Sequence, residues 1–92
     1  MAIKNSQIAL DDPRIKAAMV ELQALIQHHY PAAIFRETVG EDPEGAYLIV
    51  TIDVEDTDDV IEVYIERLLE LQIDEGLSIY VIPVRPLDRV SV

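Results

Sequence analysis

The chain has 92 residues, 50% of them hydrophobic, with no cysteine and a formal net charge of −11 at pH 7. That length encloses one core without staples, and the missing cysteine excludes disulfides, thiolate zinc sites and cysteine nucleophiles. No apolar run approaches the roughly 20 residues that span a bilayer, and the N-terminal MAIKNSQIAL has no continuous apolar core of a signal peptide, so a soluble cytoplasmic protein is expected.

The acidity is concentrated. From Glu37 to Glu75 there are 14 acidic residues and one base, Arg67, while the two ends carry four acids and six bases. A field of that sign disfavours phosphate backbones and anionic membranes, so neither nucleic acid nor membrane is an expected partner. It favours solubility, or attraction for a basic protein.

The first element lies in DDPRIKAAMVELQALIQHHYP. Asp12 suits an N-cap and Pro13 the first helical position. Ile15, Ala18, Met19, Leu22, Leu25 and Ile26 recur at helical spacing, and Pro31 stops the helix at Tyr30. Two runs rich in β-branched and aromatic residues follow, AIFRETV and AYLIVTIDV, joined by GEDPEG. They predict an antiparallel hairpin with its loop near residues 40–45.

A second helix is expected from Thr57 to Glu75, its apolar face made by Val60, Ile61, Tyr64, Ile65, Leu68, Leu69 and Ile73, with Gly76 as its stop. LSIYVIPV then reads as a third strand, placed at an edge by Pro83. The chain is thus read as one α+β domain over residues 1–92. It is an α-β-β-α-β two-layer sandwich, a small, mainly antiparallel sheet with two helices on one face. The strand–helix–strand unit implies a right-handed crossover. At the level of fold alone the order resembles a ferredoxin-like βαββαβ arrangement lacking its first strand, which residues 3–10 could add. Folds of this kind host many functions, and no family motif is matched.

The stretch DVEDTDD places five carboxylates in residues 53–59. Asp56 or Thr57 can cap the second helix, with Asp58 and Asp59 in its first turn facing the partial positive charge of the helix start. Asp53 and Glu55 alternate along the expected end of a strand, and a D-x-E pair there can hold a divalent metal. Such sites need a third carboxylate and phosphate-binding loops that the three glycines do not supply. A divalent-metal or ligand-binding domain, or an enzyme, using Asp53 and Glu55 is therefore the alternative, not the main reading. His28 and His29 diverge by about 100° on a helix, with His29 continuing the apolar stripe. No catalytic motif and no cofactor motif is found.

Two surfaces remain. Asp59, Glu62, Glu66 and Glu70 form an acidic ridge on the second helix, where like charges at such spacing repel; a basic partner is the sharper reading of it. On the middle strand Leu48, Val50, Ile52 and Val54 should face the helices, turning Tyr47, Ile49, Thr51 and Asp53 the other way. Ile34, Arg36 and Thr38 from the first strand, and Tyr80, Ile82 and Val84 from the third, should join them. An apolar sheet face is normally covered. Tyrosine and arginine among aliphatics suit an interface, so homodimerisation through Ile34, Arg36, Tyr47, Ile49, Thr51, Tyr80 and Ile82 is the leading expectation. A C-terminal tail including Leu87 and Val90 folding over the face, or a small-molecule groove, are the alternatives.

Overall fold

Asp12 and Pro13 open the first helix as their chemistry demands. In the computed structural model, which describes residues 10–41 and 43–86, helix α1 spans Pro13–His29. Asp12 Oδ1 accepts from the Arg14 backbone N–H at 2.9 Å, satisfying one of the amides a helix start leaves without an internal partner. That bond, reinforced by the Arg14 side chain, holds the Asp12 carboxyl below its ordinary pKa. At the other end the Tyr30 N–H still reaches Ile26 C=O at 2.8 Å, and Pro31 ends the run. Ile15, Ala18, Met19, Leu22 and Ile26 are buried and Leu25 is half-buried, so the predicted stripe faces the core.

Strands β1 (Ile34–Glu41) and β2 (Glu44–Thr51) form the hairpin. The connection is shorter than expected. Gly40 pairs with Gly45 and Glu41 with Glu44, so both glycines lie inside the strands instead of bounding a loop.

Helix α2 covers Asp58–Leu69. Asp56, not Thr57, supplies the capping oxygen: its Oδ1 accepts from the Asp58 N–H at 2.9 Å, while the Thr57 side chain makes no cap bond. Beyond Leu69 the chain widens into a π-helical turn, Glu70–Asp74. Its signature is the Glu75 N–H to Glu70 C=O bond of 3.3 Å, spanning five residues instead of four. Gly76, at φ +67°, then reverses the chain, the left-handed conformation that glycine adopts without steric cost. The Leu77 N–H closes the end on Leu71 C=O at 3.0 Å. Ile73, expected on the apolar face, is 73% exposed, and Leu71 is buried in the last turn. Gln72 Nε2 ties this end to the sheet by donating to Ile79 C=O at 2.8 Å.

Strand β3 (Ile79–Val84) completes a sheet of order β1-β2-β3. β1 and β2 pair antiparallel, and β2 and β3 pair parallel on either side of α2, so the sheet is mixed. The direct pairing of β2 with β3 leaves only the sheet's edges for any further strand. The possible strand at residues 3–10 lies, apart from Leu10, outside the described residues. One core joins the layers. Ala46, Leu48, Val50 and Ile52 from β2 and its continuation, and Ile79 from β3, pack with the buried side chains of both helices. Both helices therefore share one face of the sheet. Burying a side chain such as Leu22, Leu48 or Val60, each 0% exposed, contributes about 1.5–3 kcal/mol relative to leaving it in water. Tyr64 is buried in the same layer, and loss of hydration pushes its phenol up to about 12. Among the described residues, no helix is long and apolar enough to cross a membrane.

Candidate functional site

The reverse of the sheet is built in three ranks. Pairing register aligns Thr38, Tyr47 and Tyr80 across the strands, then Arg36, Ile49 and Ile82, then Ile34, Thr51 and Val84. Alternation along a strand fixes which side each residue takes, so the seven residues expected at an interface do share a face. None is fully buried: Ile34 is 66% exposed and Ile82 38%. No rank contains a carboxylate.

The two ends of this face differ. At the hairpin end the tyrosines cover the sheet themselves. Tyr47 lies over Gly40, where a Cβ would sit 2.5 Å from the ring, and its hydroxyl donates to Pro43 C=O at 2.6 Å. Tyr80 lies over Gly45, where a Cβ would meet its ring at 2.9 Å and the Ser78 carbonyl oxygen at 2.5 Å. The rings are 5.2 Å apart and tilted by 38°, within the spacing at which aromatic pairs attract. A ring laid on a strand glycine restores the packing that the glycine lacks. The turn-like appearance of Gly40 and Gly45 hid this arrangement. Its sequence signal was the tyrosine on the neighbouring strand.

At the opposite end no tyrosine among the described residues lines the face. An open groove of about 650 Å³ is lined by residues including Ile34, Arg36, Ile49, Thr51, Val84 and Arg85. Both arginines are exposed, and neither pairs with a carboxylate among the described residues. Arg14 and Arg67 contrast with them. Arg14 reaches Asp12 at 3.4 Å. Arg67 bridges the helices, with Nε 2.5 Å and Nη2 3.1 Å from the two carboxylate oxygens of Glu21, and Nη1 2.9 Å from Glu70. Glu75 stands 3.7 Å from Nη2. The bonds it donates to Glu21 first, and to Glu70 next, hold that guanidinium charged more firmly than usual.

The acidic ridge is solvent-facing throughout, since Asp59, Glu62, Glu66 and Glu70 are all exposed. Glu70 belongs to the Arg67 cluster, and no cation among the described residues pairs with the other three. The D-x-E pair is not on a strand. β2 ends at Thr51, and the Val54 N–H turns back to Ile52 C=O at 3.0 Å around Asp53, which breaks the alternation assumed for Asp53 and Glu55. Both side chains are exposed. Among the described residues no group of three or more histidine, aspartate or glutamate side chains is placed to hold a metal ion.

His29 leaves the apolar stripe and is exposed, its Nδ1 3.3 Å from Leu25 C=O. The His28 ring stands edge-on to it at 5.4 Å. Leu87 and Val90, read as a possible cover for the open face, lie outside the described residues. Against known proteins, no family, no curated sequence and no solved structure matches this chain.

Proposed function

We propose that the chain is a small acidic interaction module that binds a second copy of itself through the open face of its sheet. The observation that carries this reading is a set of aliphatic side chains on one face of all three strands, with Ile34 and Ile82 exposed and Ile49 half-buried. Water in contact with such a surface costs free energy in proportion to apolar area, and a two-fold pairing of identical faces removes it. The ridge on α2 works in the same direction. Like-charged ridges repel when helical layers approach, which leaves the sheet side as the favourable route of association. To a basic partner the same ridge offers a complementary surface.

Light scattering tests the proposal. Wild-type protein at high micromolar concentration is expected to have twice the chain mass, and Ile49→Glu the mass of one chain with unchanged circular dichroism. Ile82→Glu, at the sheet edge, does the same should Ile49→Glu fold poorly. A wild type of single-chain mass throughout contradicts the pairing.

A further inference from the structure

The described arginines divide into two kinds. Arg14 and Arg67 sit among carboxylates of their own chain. Arg36 and Arg85 line the same groove and pair with no carboxylate among the described residues, in a protein whose acids outnumber its bases 18 to 7. A second copy does not relieve this, because the three ranks of the face bring further arginine and no carboxylate. Besides the two arginines the groove is lined by Ile34, Phe35, Ile49, Val84 and Pro86, with Thr51 as the one other polar side chain in that lining, and its size of about 650 Å³ falls within the range of small-molecule sites.

We propose that this groove binds a small organic acid. Arg36 and Arg85 hold its carboxylate by charge-assisted hydrogen bonds, and an unbranched aliphatic body lies on Ile34, Ile49 and Val84. Carboxylate geometry suits the planar fork of arginine better than a lysine ammonium. The inference rests on the open face being the protein's binding surface, and it names the chemistry that surface takes.

Octanoate is the probe, with octanol lacking the charge and acetate lacking the body. Amide spectra of ¹⁵N-labelled protein are expected to show saturable shifts at residues 34–36, 49–51 and 84–86 with octanoate. Octanol should bind about tenfold more weakly, the loss that follows from removing one charged hydrogen-bonding partner. Acetate should be weaker by at least as much, because it lacks the aliphatic body that the groove buries. Arg36→Gln and Arg85→Gln should each weaken octanoate by a similar factor while leaving the fold unchanged, and Arg36→Lys should restore part of the loss. Equal binding of octanol and octanoate, indifference to both arginine substitutions, or no shift in the wild type overturns the proposal. Mass measured on the same samples separates the two readings. A second copy and the acid claim the same side chains, so octanoate binding is read on protein diluted to single chains. Protein that is single-chain at every concentration and binds octanoate contradicts the homodimer alone, and dilute single chains that ignore octanoate contradict the acid site alone.

Discussion

Leu48 and Ile49 are neighbours on β2 and live in different worlds. Leu48 points inward with Ala46 and Val50, all 0% exposed beneath the two helices. Ile49 points outward, flanked by Arg36 and Ile82, onto a face that neither α1 nor α2 covers. Both faces are largely apolar, so hydrophobicity alone does not say which is inside. Layer geometry does: two helices suffice for one side of a three-stranded sheet. The outer side then resolves its exposure in two ways. Its hairpin end lays tyrosines over glycines, and its other end keeps an open aliphatic groove beside two arginines.

Substitutions can break or sharpen this contrast. Leu48→Ala, on the inner face, should cost the most, about 2–5 kcal/mol in urea unfolding, because the site cannot collapse around the lost volume. A cost near that of an outer-face truncation would mean that the inner layer is loosely packed.

Tyr64 tests the same inner layer by pH. Its folded pKa of about 12 lies above the ordinary value of 10, so the unfolded chain ionises first as pH rises. The Tyr64 contribution to stability should be constant below pH 10 and fall between pH 10 and 12, by about 2–3 kcal/mol in all for a shift of this size. Tyr64→Phe should flatten that decline in denaturation curves taken across the interval.

On the outer face, Gly45→Ala should cost about 1–3 kcal/mol, since the new methyl meets the Ser78 backbone as well as a ring. Gly40→Ala should cost less, because only the Tyr47 side chain has to move. An equal effect from both would show that the ring, not the backbone, limits the space. Ile34→Ser is expected to change the stability of the dilute protein by no more than about 0.5 kcal/mol, as surface substitutions do. A larger loss at low concentration would place Ile34 in an intramolecular contact.

Local signals made much of this legible. Asp12 and Pro13 marked the start of α1, its stripe ran at helical spacing, and alternation on β2 sorted inner from outer residues before any fold was in hand. The signals that failed were those whose meaning depends on a distant residue. Gly40 and Gly45 read as loop ends because nothing local shows that tyrosine rings rest on them. The widened turn after Leu69 has no short motif, and Leu69 and Ile73, both expected on the apolar face, are 44% and 73% exposed. Arg67 and Glu21, 46 positions apart, meet only because the helices pack side by side. Asp53 and Glu55 were placed on a strand that ends at Thr51, two residues before the first of them and four before the second, so their alternation had no backbone to carry it.

Solvent accessibility of the wild-type outer face, followed by a soluble paramagnetic relaxation agent as the protein is diluted, is the most direct trial of the account. Methyl signals of Ile34, Ile49, Ile82 and Val84 should be shielded at high concentration and broaden on dilution, while Leu48 and Val50 stay shielded throughout. Outer methyls that broaden equally at every concentration would contradict the claim that this face binds a second copy.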